Sequence, residues 1–415
     1  MAAFERISVI GLGYVGLPTA ATIAARGVRV LGVDIRPDVV ERINSGRTHI
    51  MEPDLDIVVS SVVSTGMLTA ATQPEPCDAF IVAVPTPVFE NNSPDMRAVQ
   101  GAIAAIAPVL ARGNLIIIES TSPVGTTQRA ADQLRALRSD LTFPDEASER
   151  SDVMVAYCPE RILPGNTLRE LTDNARLVGG LDKRSADRAQ ELYSIFAKGD
   201  IHKTEASVAE MAKVTENAFR DVNIAFANEL SLICEAAGID PWKVIKLANL
   251  HPRVNILSPG PGVGGHCIPV DPWFIVHAQP DLSRMIRTAR EVNVAKEQHV
   301  VQRIRRAAER FRDPRIALLG LSYKPNVDDL RESPALHITE KLLNTDTGEI
   351  YVVDPHVKAA PPSIAGKPRM HFVGLQDALK EADIVVLLVQ HDQFRDLDRR
   401  LLSEKILIDT VGVLR

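Results

Sequence analysis

The chain has 415 residues, enough for two or three domains with sizeable hydrophobic cores. Its composition is that of an ordinary globular protein, and a formal net charge of -6 excludes a generally basic surface for nucleic acid. The four cysteines match neither a zinc pattern nor a disulfide framework, which favours a reducing compartment. We therefore predict a cytoplasmic protein with no metal site.

The N-terminal segment reads as a strand (RISVI), a glycine-rich turn (GLGYVG), a helix that ends at Gly27 and a second strand (VRVLGVD). Gly11 permits the tight turn, Gly13 lets a pyrophosphate approach the backbone, and Gly16 lets helix and strand pack closely. This βαβ pattern predicts a dinucleotide site. The alternative is a tight turn in an α/β protein that binds another ligand.

An acidic residue after the second strand bears on which dinucleotide binds. Asp34 is placed to accept a hydrogen bond from a ribose 2′-hydroxyl, which favours NAD over NADP. Arg36 is a counter-signal, because an arginine there can hold a 2′-phosphate.

The charge-free segment 7–25 could be mistaken for a membrane span or a signal sequence. Its glycine spacing, and the lack of a basic segment before it, argue against both. We predict no membrane association.

Three further apolar segments read as strands that end in polar loops. Thr86 and Thr121 follow the strands within 78–87 and 114–127, and Glu160 and Arg161 follow the strand within 153–165. In a doubly wound sheet, ligands bind at the carboxyl ends of the strands. These four residues are therefore candidate site residues.

Residues 205–238 read as one long helix that ends at Gly238. Lys213, Asn217 and Asp221 recur every fourth residue and so share a face, for which a solvated polar surface is the plainer interpretation. The apolar residues predict a buried stripe, and the length suggests a dimer interface. The stripe comprises Ala209, Ala212, Phe219, Ile224, Ala227 and Leu230.

The last third of the chain repeats the first. RIALLGLSYK (315–324) resembles RISVIGLGYV (6–15), and EIYVVDP, ADIVVLLVQH and KILIDT supply further strands. The second copy has Ser322 where the first has its middle glycine, so we expect it to keep the fold without binding a dinucleotide in the same way.

These patterns predict an α/β protein with two Rossmann-type doubly wound domains, joined by a long central helix and a small helical domain. The predicted domains are 1–200 for NAD, 201–300 for dimerisation and 301–415 for a second ligand.

PGPGVGGHCIPVDPWF (259–274) places Cys267 in a glycine-rich loop, with Asp271 close behind it. The glycines permit close approach of a ligand to the backbone, and a polar, accessible cysteine can act as a nucleophile. His266 is adjacent to the thiol, and an effect on the thiol pKa is the less favoured interpretation of it. The sequence context favours buried, structural roles for Cys77, Cys158 and Cys234.

Several motifs together resemble the UDP-glucose/GDP-mannose dehydrogenase family over nearly the whole chain. They are GLGYVGLP, VPTP, STSPVGTT, PERILPG, AKVTENAFRDVNIAFANEL, NILSPGPGVGGHCIPVDPWF and GLSYKPNVDDLRESPA. The resemblance implies a four-electron oxidation of a sugar CH2OH to a carboxylate with two NAD, through a thiohemiacetal and a thioester on Cys267.

The resemblance also bears on the substrate. HPRVNIL, GPGVGGHC and PERILPG favour UDP-N-acetyl-D-mannosamine, with UDP-N-acetylglucosamine and UDP-glucose as alternatives. Pro164 stands where the UDP-glucose enzymes usually have a second glutamate, which argues against UDP-glucose.

Residue roles follow from the same resemblance. Lys213 and Asn217 would stabilise oxyanions, while Thr121, Glu160 and Asp271 would orient water and move protons, with the base left open among these three. The expected cofactor-binding residues are Gly11, Gly13, Tyr14, Val15, Gly16, Asp34, Arg36, Thr86, Thr121 and Arg331. The expected substrate-binding residues are Glu160, Arg161, Lys213, Asn217, Arg253, Gly264 and Lys324.

Two other classes stay open at this point. A two-electron β-hydroxyacid dehydrogenase also pairs a Rossmann domain with a helical one, and a nucleotide sensor could keep a dehydrogenase scaffold. Cys267 and the second Rossmann-like domain argue against the first. The intact candidate site residues argue against the second.

Overall fold

A computed structural model of the chain describes residues 4–144, 151–162 and 165–414. Pro164, which bears on the substrate prediction, lies outside the described residues. The chain divides into two compact units, Met1–Thr215 and Glu216–Arg415.

In the part of the first unit that the structure describes, eight strands are interspersed with helices, and the apolar segments predicted five of these strands. The strands are β1 (Arg6–Ile10), β2 (Arg29–Val33), β3 (Leu68–Ala71), β4 (Ala79–Val82), β5 (Leu115–Ile118), β6 (Met154–Tyr157), β7 (Arg176–Gly180) and β8 (Ile201–Glu205). The helices are α1 (Gly16–Ala24), α2 (Pro37–Asn44), α3 (Leu55–Ser64), α4 (Arg97–Ile106), α5 (Thr126–Leu137), α6 (Thr167–Asp173) and α7 (Lys183–Tyr193), with a 3-10 turn at Ala107–Val109.

These strands form one sheet in the order β3-β2-β1-β4-β5-β6-β7-β8. Neighbouring strands run parallel, except that β7 is antiparallel to β6, with Ala156 opposite Gly180. The order of the first six strands is that of a dinucleotide-binding Rossmann sheet.

Alternation along the strands explains how one sheet supports two cores. Ile7, Ala79 and Ile81 pack on one face, whereas Phe80 and Val82 pack on the other. Successive side chains of a strand point to opposite faces, so a strand covered on both sides must be apolar throughout. This is why the continuous apolar segments correctly predicted β4, β5 and β6.

The second unit contains the rest of a long helix, a helical region and a smaller sheet. The helices are α8 (Ala206–Ala236, which begins in the first unit), α9 (Pro241–Ala248), α10 (Asp271–Ala278), α11 (Arg284–Ala308), α12 (Pro334–Leu343), α13 (Leu375–Glu381) and α14 (Asp392–Arg395), with a 3-10 turn at Arg399–Leu402. The strands are β9 (Arg315–Leu319), β10 (Glu349–Val353), β11 (Met370–Phe372), β12 (Ile384–Leu387) and β13 (Ile406–Asp409).

The smaller sheet repeats the arrangement of the larger one. Its order is β11-β10-β9-β12-β13, and all four pairings are parallel. This is the order of the first five strands of the larger sheet. The predicted fold class, with two Rossmann-type sheets and a long helix, is confirmed.

Two sequence predictions about apolar segments have different outcomes. The charge-free segment 7–25 is β1, a turn and α1, and none of the helices in the described residues has the length and apolarity that a membrane span requires. The predicted buried stripe on α8 is wrong at Phe219, which is 66% exposed.

The reason is that the polar residues of α8 find partners and are buried instead. Lys213, Asn217, Asp221 and Asn228 are all buried. Buried polar groups persist when each is hydrogen-bonded, and Asp221 accepts bonds from both Arg290 and Asn293. The plainer prediction of a solvated polar face is therefore also wrong.

Candidate active site

The turn between β1 and α1 has the geometry that a pyrophosphate requires. Gly11 has φ +92°, and a Cβ there would lie 2.6 Å from the carbonyl oxygen of Ala83. A Cβ on Gly16 would lie 1.8 Å from the carbonyl oxygen of Gly11, whereas one on Gly13 would meet nothing within 4 Å. The turn is thus packed closely against other backbone at Gly11 and Gly16 and is open at Gly13. Binding of an anion to the backbone at the start of α1 requires this arrangement.

The residues around this turn agree with a dinucleotide ligand. Asp34 follows β2 and accepts hydrogen bonds from the backbone N–H groups of Leu12 (3.0 Å) and Arg36 (3.0 Å). The Arg36 guanidinium is paired with Asp38, which weakens its value as a signal for a 2′-phosphate. Tyr14 packs against the core, and Val15 immediately precedes α1.

Thr86 and Thr121 are brought together at the carboxyl ends of β4 and β5. The Thr86 hydroxyl donates to the Thr121 carbonyl oxygen at 2.6 Å. The loop after Thr121 is held by Glu210 of α8, whose carboxylate accepts from the backbone of Gly125 (2.6 Å) and Thr127 (2.8 Å) at the start of α5. Glu210 therefore holds the backbone at the start of α5 in place.

Glu160 lies at the end of β6 in a buried ionic cluster. Its Oε2 accepts from both terminal nitrogens of the Arg176 guanidinium at 3.3 Å, and its Oε1 accepts from the backbone N–H of Arg161 at 2.7 Å. The guanidinium also lies over the rings of Tyr193 and Phe196. Arg176 thereby fixes the side chain of Glu160.

A second carboxyl group faces the same guanidinium. Glu119 Oε1 lies 4.0 Å from Arg176 and accepts from the Tyr193 hydroxyl at 3.1 Å. Burial, and next the charge of Glu160, raise the pKa of Glu119 to about 8. Glu119 is therefore mostly protonated at neutral pH.

Lys213 of α8 is anchored to the same loop. Its ammonium donates to the backbone carbonyl oxygen of Glu160 at 2.7 Å, and Lys213 is buried. Arg161 donates from its side chain to the carbonyl oxygen of Ala175 at 3.5 Å. The first unit thus gathers Glu160, Arg161 and Lys213 at the end of β6.

In the second unit, Cys267 differs from the other three cysteines in its exposure. Cys77, Cys158 and Cys234 are buried, and burial raises the pKa of Cys77 to about 11 and that of Cys158 to about 12. Cys267 is exposed shortly before α10. The burial of the other three agrees with the structural roles predicted for them.

Two further predicted catalytic residues meet next to this loop. The Asn217 side-chain amide donates to Asp271 Oδ2, and Asp271 is buried at the start of α10 with its backbone N–H on the Cys267 carbonyl oxygen at 2.8 Å. Burial, with a smaller contribution from Arg331, lowers the pKa of His266. This shift disfavours the charged form of His266.

The glycine-rich loop before Cys267 packs closely on the segment that follows β9. A Cβ on Gly264 would lie 2.5 Å from the Glu332 carbonyl oxygen, and one on Gly265 would lie 2.9 Å from the Tyr323 ring. Lys324 lies beside Tyr323, with its ammonium 5.8 Å from the ring centroid. The loop needs glycine at both positions because of this close approach.

The remaining predicted residues are placed elsewhere. The Arg331 guanidinium is held by Asp329, with 2.8 Å between Nε and Oδ1. Arg253 is exposed in the loop after α9.

Sequence reasoning missed Arg176, Glu119, Glu210 and His391. Arg176 begins β7, which no continuous apolar segment predicted. Glu119 and Glu210 are isolated acidic residues, and the local sequence does not show that they are buried. His391 could have been found from the internal repeat, because it follows β12 at the position that Thr86 occupies after β4.

The first unit has the sheet order, glycine turn and acidic residue of an NAD-dependent dehydrogenase domain. Comparison with known proteins agrees. The UDP-glucose/GDP-mannose dehydrogenase family matches with its NAD binding domain at residues 5–197, its central domain at 207–295 and its UDP binding domain at 317–415.

Curated relatives match along the same length. An NDP-N-acetyl-D-galactosaminuronic acid dehydrogenase of Ralstonia nicotianae is 55% identical over 410 residues, which cover 99% of this chain and 96% of the relative. A UDP-N-acetyl-D-mannosamine dehydrogenase of Campylobacter jejuni is 53% identical over 392 residues, which cover 94% and 96%.

A solved structure has the same fold. The UDP-D-ManNAc dehydrogenase of Pyrococcus horikoshii matches with a TM-score of 0.89 and 37% identity, over 99% of this chain and 96% of that one. The chain belongs to the UDP-glucose/GDP-mannose dehydrogenase family, and it is an NAD-dependent oxidoreductase.

Proposed function

We propose that this protein oxidises C6 of UDP-N-acetyl-D-mannosamine to the carboxylate in a four-electron reaction. The observation that carries the four-electron part is the exposed thiol of Cys267 beside buried Asp271. A two-electron β-hydroxyacid dehydrogenase has no use for such a thiol, and a sensor has no use for a complete set of candidate catalytic residues.

The first unit supplies the cofactor site of this proposal. When bound, NAD supplies the hydride acceptor. The open backbone at Gly13 and the start of α1 suit the pyrophosphate, and Asp34 suits a ribose hydroxyl. The residues assigned to the cofactor are Gly11, Gly13, Tyr14, Val15, Gly16, Asp34, Arg36, Thr86, Thr121 and Arg331.

Cys267 supplies covalent chemistry after the first oxidation. Its thiolate adds to the C6 aldehyde carbon, and the aldehyde oxygen takes a proton to give a thiohemiacetal. Loss of that proton and of the C6 hydride, for which a second NAD would be the acceptor, leaves a thioester. Water then adds to the thioester carbon, and the thiolate leaves, which frees the carboxylate.

Polar residues handle the charges that these steps develop. The ammonium of Lys213, held by the Glu160 carbonyl oxygen, and the amide of Asn217 stabilise the C6 oxyanion. Thr121, Glu160 and Asp271 orient water and move protons, and one of the three is the base. Arg176 keeps Glu160 in place for this role.

The substrate assignment rests on residues that suit a nucleoside diphosphate. Lys324 supplies a point charge for the phosphates, and the close-packed backbone at Gly264 borders the same segment. Arg161 and Arg253, together with Glu160, Lys213 and Asn217, complete the proposed sugar contacts.

A second sugar has a specific observation in its favour. The Ralstonia nicotianae relative carries the name of an N-acetylgalactosaminuronic acid dehydrogenase and is slightly more similar than the Campylobacter jejuni one. UDP-N-acetyl-D-galactosamine is therefore the alternative substrate, ahead of UDP-N-acetylglucosamine and UDP-glucose.

The experiment offers the four UDP-sugars separately and compares kcat/KM from NADH absorbance. We expect UDP-N-acetyl-D-mannosamine to exceed each other sugar by about tenfold or more, the discrimination that differences of 1–3 kcal/mol in pocket contacts provide. A higher kcat/KM for the galactosamine substrate would reverse the assignment, and no NADH from any of the four would contradict the proposed function.

We also propose a homodimer through residues 201–300. Phe219, Phe226 and Ile233 recur every seventh residue on α8 and are 66%, 54% and 60% exposed. A row of large apolar side chains along one helix is the pattern of a helix–helix interface. A second copy of the same helix suits this row, because a two-fold interface places the same surface on both subunits.

A further inference from the structure

The two Rossmann sheets of this chain place different residues at matching positions. Gly11 and Gly320 both follow the first strand of their sheet with positive φ, +92° and +101°. Ser322 follows β9 by the same number of residues as Gly13 follows β1. His391 likewise stands after β12 where Thr86 stands after β4.

The second sheet has the Ser322 side chain at the position where the first sheet has open space beside Gly13. A Cβ on Gly13 would meet nothing within 4 Å. Ser322 is 1% exposed, and its hydroxyl donates to the Lys324 carbonyl oxygen at 2.8 Å and lies 3.3 Å from His391 Nε2. The point where a pyrophosphate would approach the backbone is therefore occupied by a side chain.

His391 also holds the loop that follows β9. The imidazole is fully buried, and its Nδ1 accepts from the backbone N–H of Asn326 at 3.0 Å. Because Nδ1 needs a lone pair for this bond, the ring hydrogen lies on Nε2, 3.2 Å from Asp354 Oδ2. Asn326 is held further by Asp392, since their side chains and backbone exchange two bonds.

Asp354 matches Asp34 in position, and like Asp34 it accepts from a backbone N–H of the glycine turn and from the N–H two residues after itself. It differs in that it also accepts from Ser322 and His391. Its Oδ2 accepts the backbone N–H groups of both Leu321 (2.7 Å) and Ser322 (3.2 Å). Burial disfavours its charged form, but hydrogen bonds from His391 and the backbone outweigh this and lower the pKa to about 2. An anion therefore holds the Ser322 N–H, at the position where Gly13 leaves the backbone of the first sheet open.

We propose that Ser322, His391 and Asp354 close the dinucleotide groove of the second Rossmann sheet and hold the Tyr323–Lys324 segment in position for a single nucleoside diphosphate. The inference deepens the proposed function, on which its substrate class rests. His391 is a positioning residue in this scheme, because it acts through the loop and not on the sugar.

The test measures binding of UDP and NAD by calorimetry to the full chain, to three variants of the loop and to one control variant. His391→Thr and Ser322→Gly restore the residues of the first sheet, whereas His391→Asn keeps an acceptor for the Asn326 N–H. His371→Thr, on the exposed edge strand β11, is the matched control for loss of an imidazole.

We expect His391→Thr to weaken UDP binding by about tenfold and Ser322→Gly by a smaller factor, with NAD affinity unchanged within about twofold. His391→Asn should stay within about threefold of the unmodified protein, as should His371→Thr. In turnover, His391→Thr should raise the KM for the nucleotide sugar while kcat holds, a split that general destabilisation would not produce.

Unchanged UDP affinity in folded His391→Thr would overturn the proposal, as would two NAD bound per unmodified chain. If His391→Thr does not fold, Ser322→Gly decides, and UDP binding weakened no more than in His371→Thr would overturn the proposal. If the protein oxidises no nucleotide sugar, the proposed function fails, while UDP calorimetry still decides whether the groove is held closed as described.

Discussion

At the scale of single residues, the site depends on buried partners that stand behind the reactive groups. Glu160 and Lys213 look like independent polar residues in the sequence, yet Arg176 holds the side chain of Glu160 and the Glu160 carbonyl holds Lys213. Glu119 also lies beside the Arg176 guanidinium, and burial, followed by the charge of Glu160, raises the pKa of Glu119 so that it keeps its proton.

Replacement of Glu119 by Gln should make stability less sensitive to pH. The pKa of Glu119 is about 8 in the folded protein, whereas an unfolded glutamate titrates near ~4.3. Between these values the folded state keeps a proton that the unfolded state has lost, so the free energy of unfolding falls as pH rises, by up to about 1.4 kcal/mol per unit. Urea unfolding at pH 5.5 and 7.5 measures this.

The neutral amide of Glu119→Gln cannot lose that proton, so the variant should lose up to about 3 kcal/mol less stability than the unmodified protein over those two pH units. Glu90→Gln, at an exposed position, is the control and should behave like the unmodified protein. Equal pH dependence in Glu119→Gln and the unmodified protein would show that Glu119 is already ionised in the folded state.

At the scale of elements, α8 buries one row of polar residues and exposes several large apolar ones. Periodicity correctly predicted the helix, but it could not predict which face is covered. Asp221 and Asn228 are buried because Arg290, Asn293 and the backbone of Gly260 complement them, and these partners come from distant parts of the chain. A hydrophobic stripe predicts burial only when its cover belongs to the same chain.

Phe226→Asp should therefore weaken the proposed dimer. Burial of one large apolar side chain contributes about 1.5–3 kcal/mol, and an aspartate facing its symmetry mate adds repulsion. We expect the dimer dissociation constant to rise at least about tenfold, measured by sedimentation equilibrium, with the helix content unchanged.

Leu137→Asp, which changes an exposed leucine at the end of α5, is the control and should leave the association state unchanged. A monomeric mass for the unmodified protein, or an undiminished dimer in Phe226→Asp, would remove the role given to the row of Phe219, Phe226 and Ile233.

At the scale of the whole molecule, the internal repeat is what the sequence predicts best. Continuous apolar segments correctly indicated β1, β2, β4, β5 and β6, and again β9, β10, β12 and β13, because strands covered on both faces must be apolar throughout. The edge strand β8 (IHKTE) is polar and mostly exposed, so no such signal marked it.

The residues of the candidate site likewise divide into those that the sequence predicted and those that it did not. Cys267 and the glycine turn were found from local spacing, since chemistry and backbone conformation leave local marks. Arg176 and His391 were not, because each acts through contacts that only the folded chain brings together.

The number of NADH molecules formed per UDP-N-acetyl-D-mannosamine consumed, measured together with the identity of the sugar product, decides whether the oxidation removes four electrons. Four-electron oxidation through Cys267 predicts two NADH and a uronate, and a Cys267→Ser variant that still binds NAD but forms no uronate. One NADH per sugar, or full turnover by Cys267→Ser, would contradict the thioester account.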